Sequence, residues 1–136
     1  MKIKNIIIAG ATLFLLSGCF KQEAPKCSDK DVKNLVKSLY QDSLKQLSNN
    51  PMAALFIGAL PKEMTSLTSV RSVAYDEKVG LRSCKAEAHF NNKTVNIKYT
   101  VQLNEENSDE FYVELDTAFL EGLIQQSMMQ GILDSK

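Results

Sequence analysis

The chain has 136 residues, and 16 Lys and Arg balance 16 Asp and Glu, so its formal charge at pH 7 is zero. That length makes one domain with an ordinary core and no room for a large enclosed site with lids. There is no basic surplus for nucleic acid. One His and three Cys without a CxxC pair give no zinc-spaced ligand set, and no cofactor motif occurs.

Met1 to Asn5 carries Lys2 and Lys4, and Ile6 to Leu16 has no charge. A basic start followed by a short apolar run is the pattern of an export signal. The run falls short of the ~20 residues that span a bilayer. The alternative, a buried N-terminal core helix, would need an amphipathic period that this stretch lacks.

The residues Leu16-Ser17-Gly18-Cys19 follow at once: an aliphatic residue, a small residue, Gly and Cys. This resembles the lipobox of bacterial lipoproteins. The resemblance implies cleavage before Cys19, a diacylglycerol on its sulfur and acylation of the new amine. The chain is then expected to have a signal peptide over 1–18, a lipidated Cys with its tether over 19–26, and a single domain over 27–136. Several acyl chains, at about 0.8 kcal/mol per buried methylene, hold a protein to a membrane durably. Phe20 stands where Asp is associated with inner-membrane retention, so the resemblance leans toward the outer membrane.

Loss of Lys2 and Lys4 with the signal tips the remaining charge slightly negative. Lipidation of Cys19 would leave Cys27 and Cys84. In an exported protein the pair reads as one disulfide, made in a Gram-negative periplasm, or else as two free thiols. A bridge would close a loop of about 57 residues, worth roughly 4 kcal/mol in the chain-entropy model.

Phe20 to Lys26 is polar with one Pro and reads as a tether. Ser28 and Asp31 resemble a capping box. Val32, Leu35, Val36, Leu39, Tyr40, Ser43, Leu44 and Leu47 then follow helical spacing until Ser48-Asn49-Asn50-Pro51. Pro51 to Leu60 reads as a second, shorter helix. It is either a buried apolar turn or an exposed patch, and burial is favoured.

From Leu67 the period becomes two. Leu67 to Tyr75 predicts a strand, and Asp76-Glu77-Lys78 a turn. Leu81 to Phe90 and Lys93 to Leu103 flank Asn91-Asn92, which can take positive φ in a two-residue hairpin. That hairpin faces Ala88 with Val95, Ala86 with Ile97, Cys84 with Tyr99 and Arg82 with Val101 on the apolar side. It faces His89 with Thr94, Glu87 with Asn96, Lys85 with Lys98 and Ser83 with Thr100 on the wet side. Phe111 to Leu115 supplies a fourth strand, with Phe111, Val113 and Leu115 inward. Asp116 caps a final helix whose stripe is Phe119, Leu120, Leu123, Ile124, Met128 and Ile132.

The expected fold is therefore α+β and two-layered. It has an N-terminal helix, a short second helix, a four-stranded antiparallel meander and a C-terminal helix. The order is similar to that of cystatin-like and NTF2-like small domains, an analogy of architecture alone. Cys84 on the buried face and Cys27 before the covering helix make their bridge geometrically sensible.

No motif for catalysis occurs, and His89 has no nucleophile or orienting acid supplied by spacing, so an enzyme is not expected. Lys85 opposite Lys98 is a like-charge pair, with Arg82 near in sequence. It is a docking spot for an anionic partner, or two side chains splayed into water. Met128 and Met129 offer either core packing or an adaptable apolar strip for a protein partner. The expectation is a non-enzymatic interaction or accessory module, anchored to the membrane through Cys19, facing the periplasm and bound to an envelope protein complex. Two alternatives stand beside it. One is a protective inhibitor of a phage, lysozyme-like enzyme or toxin, using the acidic loop Glu105 to Glu110. The other is a small-molecule or lipid-binding domain with a hollow above Ala86 and Ala88.

Overall fold

The computed structural model describes residues 2–6, 23–58, 60–107 and 109–134. Of residues 2–6, 56, 127, 128 and 130–134 only the backbone is described. The lipobox-like residues Leu16-Ser17-Gly18-Cys19 therefore lie outside the described residues. The elements run β1 (Lys2–Ile6), α1 (Lys30–Ser48), α2 (Pro51–Ile57), β2 (Ser66–Asp76), β3 (Leu81–His89), β4 (Thr94–Leu103), β5 (Glu110–Leu115) and α3 (Ala118–Asp134). The fold is α+β, with a four-stranded antiparallel meander in the order β5-β4-β3-β2. β1 is added outside β5, where the sequence pattern indicated no strand.

The helix α1 starts one residue later than the Ser28 box implies. Asp29 is the N-cap, and its Oδ1 accepts from the amides of Asp31 at 2.8 Å and Val32 at 3.4 Å. The reason is local: the Asp29 amide donates to the Lys26 carbonyl at 3.0 Å, so residues 26–29 close a turn before the helix can begin. Val32, Val36, Leu39, Tyr40 and Ser43 form its buried stripe. Ser43 is satisfied there by donating to the Leu39 carbonyl at 2.8 Å, which explains a polar residue inside an apolar stripe.

The short helix α2 is capped by Asn50, whose Oδ1 accepts from the Met52 amide at 3.0 Å. The favoured burial of this segment is corrected. Met52 and Leu55 are 70% and 74% exposed, Ile57 is half-buried, and Leu60 enters the core. A seven-residue helix presents barely two turns, too little to bury its apolar residues on more than one side.

The hairpin β3–β4 has the anticipated register at every position, from Leu81 opposite Gln102 to His89 opposite Thr94. Phe90 donates its amide to the Lys93 carbonyl at 2.8 Å and closes the turn. Asn91 and Asn92 turn without positive φ. Among the described residues Ser69, at 52°, is the non-glycine with that conformation. Phe111, Val113 and Leu115 point inward, and the Asp116 side chain accepts from the Ala118 amide at 2.9 Å to start α3.

The core lies where α1 and α3 meet the face carrying Cys84, Ala86, Ala88, Ile97, Tyr99, Val101 and Val113. Tyr40 is its aromatic centre, 5.1 Å from Phe90 and 6.1 Å from Phe119 between ring centroids. Its hydroxyl donates to the Pro61 carbonyl. Burial pushes the Tyr40 and Tyr99 phenols up to about 12.

Candidate functional site

The opposite face of the sheet carries an unusual row. Arg71 of β2 lies directly opposite Lys85 of β3, and Lys85 lies directly opposite Lys98 of β4. Three cations thus cross three adjacent strands in one line. Directly opposed residues have Cβ atoms roughly 5 Å apart, where like charges destabilise a strand pair. Arg71 and Lys98 are exposed and Lys85 is half-buried.

A backbone irregularity creates this alignment. Leu67 and Thr68 pair with Ala88 and Glu87, so an unbroken ladder would set Val70 against Lys85. The shift between Thr68 and Arg71, with Ser69 at φ 52°, inserts one residue and delivers Arg71 instead. The sequence reading found the Lys85–Lys98 pair from the hairpin alone. It missed Arg71 because a period-two pattern does not count a bulge. Arg82, near the lysines in sequence, was placed apart from them on the apolar side, and the structure keeps it there. Arg82 lies opposite Val101 on the core face.

The row borders a depression of about 200 Å³ lined by Arg71, Lys85, Glu87, Asn96 and Lys98 among others. Glu87 is the one carboxylate in that lining. None of the three cations lies within ion-pair distance of a carboxylate among the described residues; the surface ion pair formed there is Arg82 with Glu23 at 3.6 Å. Glu114 and Asp116 border a larger cavity beside Lys85 and Lys98, so carboxylates flank the row without forming ion pairs with it among the described residues.

Lys85 and Lys98 also border a larger cavity of about 800 Å³. Ser43 and Leu47 of α1, Tyr99, Leu115 and Leu120 contribute to its wall. Of the two alanines expected to leave a hollow, Ala86 borders the smaller depression. These alanines are 4% and 0% exposed, and the larger cavity sits at the level of Cys84 and Tyr99.

Cys27 and Cys84 are joined by a disulfide, with Cα atoms 5.7 Å apart and a sequence separation of 57. Around it the start of the domain is fastened to the sheet. Tyr99 donates its hydroxyl to the Cys27 carbonyl at 2.7 Å. Arg82 donates from Nε to the Pro25 carbonyl and from Nη2 to the Ala24 carbonyl, both at 3.1 Å. The Ala24 amide donates to the Tyr75 hydroxyl at 3.1 Å, and the Arg82 guanidinium stacks 4.4 Å over the Tyr75 ring. The expected tether of 19–26 is thus held to the domain from Glu23 onward. Arg82 is a clamp whose signal in the sequence was its odd position: a cation on the apolar face of a strand.

His89 lies at the end of β3 on the solvent side. Its ring nitrogens contact two hydroxyls, Thr68 at 2.6 Å and Thr94 at 3.3 Å, and neither contact is a carboxylate. The described residues of the loop Glu105 to Glu110 are held by side-chain-capped turns. The Glu106 amide donates to Asn104 Oδ1 at 3.0 Å and the Asp109 amide to Asn107 Oδ1 at 3.1 Å. Glu110 leaves the loop for β5, is 7% exposed, and accepts from Asn104 Nδ2 at 2.9 Å. Met129 is 66% exposed, whereas the Met128 side chain lies outside the described residues.

Among the described residues no three His, Cys, Asp or Glu side chains gather closely enough to hold a metal ion. Among the same residues no helix is long and apolar enough to cross a membrane. No protein-family model, curated protein or solved structure matches this chain.

Proposed function

We propose that this protein is a lipid-anchored, periplasm-facing module without enzymatic activity. Its basic row Arg71-Lys85-Lys98 docks an acidic surface of an envelope protein partner. The single observation that carries this reading is the row itself: three directly opposed cations, none in an ion pair with a carboxylate among the described residues. Such an arrangement costs stability in the free protein and regains it when an anionic surface settles on the face. The lipobox supports the address, because each acyl chain adds membrane affinity and two or more make it lasting.

The test uses the intact, membrane-extracted protein. Its mass reads lipidation at Cys19 and the absence of residues 1–18. A photo-crosslinker at Thr100, beside the row, is expected to trap a discrete envelope protein at low salt. The adduct is expected to fade with added salt and to disappear with Arg71→Glu. A salt-insensitive adduct, or one that survives Arg71→Glu, argues against docking through this row.

A second reading has its own support in the cavity of about 800 Å³, a size suited to a small ligand. Native mass spectrometry separates the two. A co-purifying small molecule lost on Leu47→Trp, which would fill the cavity, favours ligand binding, and bare polypeptide with its anchor favours the docking role.

A further inference from the structure

We infer that the outer edge of β5 is an acceptor for an extended segment of another polypeptide, one that alternates basic and apolar residues. The inference rests on the reading that residues 1–18 are removed. An edge strand presents a row of unpaired N–H and C=O groups and will pair with a further strand unless something blunts it. The two edges of the meander differ in this respect. β2 is broken by two register shifts, carries Ser69 at φ 52°, and projects the exposed Arg71. These are devices that deter pairing. β5 has neither a register shift nor a positive φ, and its exposed charge is Glu114. It pairs with β4 without a shift from Leu115 opposite Tyr99 to Phe111 opposite Leu103. On its other side it pairs with β1 over five continuous positions.

The register of β1 states what the edge selects. Lys2 is opposite Glu114, Lys4 opposite Tyr112 and Ile6 opposite Glu110. In between, Ile3 is opposite Val113 and Asn5 opposite Phe111. Val113 and Phe111 are buried on the core side, and Glu114 is exposed. An incoming strand therefore gains from an apolar residue at the position facing Val113 and a cation at the position facing Glu114. α1 crosses over β5 and reaches β1, so the helical layer extends above the space that an added strand occupies. Removal of residues 1–18 takes β1 away and leaves this regular edge for a segment of the same alternation. Main-chain hydrogen bonds supply affinity and alternate side chains supply selectivity.

The test compares two full-length chains in detergent. Both carry Cys19→Ser, which blocks lipid-dependent processing, and one also lacks Lys2–Ile6. Deletion is expected to raise amide hydrogen exchange in Glu110–Leu115 at least tenfold. A synthetic peptide of residues 1–8 is expected to restore protection. Glu114→Lys in the deleted chain should weaken the peptide at least tenfold, and the peptide with Lys2→Glu should recover most of that loss. Unchanged exchange after deletion overturns the inference, as does equal peptide binding to Glu114→Lys. Dimerisation of the deleted chain through this edge also overturns it, because the occupant is then a second copy. The intact mass of the wild-type protein reads the processing separately. If residues 1–18 are retained, the edge stays capped by its own chain and the inference of a partner falls, even where the edge accepts peptide.

Discussion

Replacing Lys85 with Glu is expected to stabilise the free protein. Lys85 sits between Arg71 and Lys98 and opposes both across β2–β3 and β3–β4. Each directly opposed pair is worth roughly 0.2–1 kcal/mol, favourable for opposite charges and unfavourable for like charges. The substitution converts two repulsive pairs into two attractive ones. Arg71 and Lys98 are exposed, so solvent screening keeps each pair near the low end. Set against these gains is Glu87, two residues along the same face, which a new carboxylate would repel weakly. The net expectation is about 1 kcal/mol of added stability. Urea denaturation at 10 mM salt should show a higher midpoint with an unchanged slope. At 1 M salt the Debye length falls to about 3 Å and the gain should shrink to a fraction of its size. Lys85→Gln, which removes the repulsion without adding attraction, should fall between the two. A Lys85→Glu chain that is no more stable than the parent at low salt refutes the reasoning. It would mean that the three side chains splay far enough apart to ignore one another.

Replacing Cys27 and Cys84 together by Ala should cost about 4 kcal/mol, because it releases a loop of 57 residues, and should show as a large drop in the urea midpoint. A loss below about 1 kcal/mol would show that the unfolded chain is not the state the bridge constrains. Arg82→Met should cost roughly 3 kcal/mol, the low end for two lost charge-assisted hydrogen bonds, and it should accelerate exchange of the Ala24 amide more than that of Val101. Stability should hold level up to about pH 9.5 and then decline. Unfolded tyrosine releases its proton near 10, while buried Tyr40 and Tyr99 keep theirs to about 12, so the unfolded chain binds fewer protons in this window. The slope reaches at most about 1.4 kcal/mol per pH unit for each tyrosine. Urea midpoints between pH 9 and 11.5 check this, and Tyr99→Phe should flatten the decline.

The parts of the fold that were legible in the sequence are those set by short periods. Ala86 and Ala88 against Ile97 and Val95 align only in one hairpin register, because a slip of one residue would turn every apolar side chain to the wrong face. The helical stripe of α1 was equally plain, down to Ser43, whose hydroxyl bonds back to its own helix. What escaped depends on chain geometry that periodicity does not encode. The bulge at Ser69 moves Arg71 into line with Lys85, and nothing in the residues Thr68 to Arg71 announces it. The cap fell to Asp29 in place of Ser28 because a preceding turn consumed one residue. For Met52 and Leu55 composition pointed inward, and only the shortness of α2 decided otherwise. Two of the three members of the candidate site, Lys85 and Lys98, were therefore readable, and the third was not.

The fastening around Arg82 has a mechanical consequence. A pull entering the domain along residues before Glu23 meets the guanidinium clamp first and the disulfide next, and both attach to β3. The load then passes into an inner strand bonded on both sides, to β2 and β4. α1 begins beyond the Cys27 attachment and so lies outside the load path. The hydrogen bonds of the sheet share such a force in shear, and the helix is spared from being unwound turn by turn. A domain held by its leading end, moving against a surface or a large neighbour, would keep its helical layer and its basic row in place while that end bears the strain.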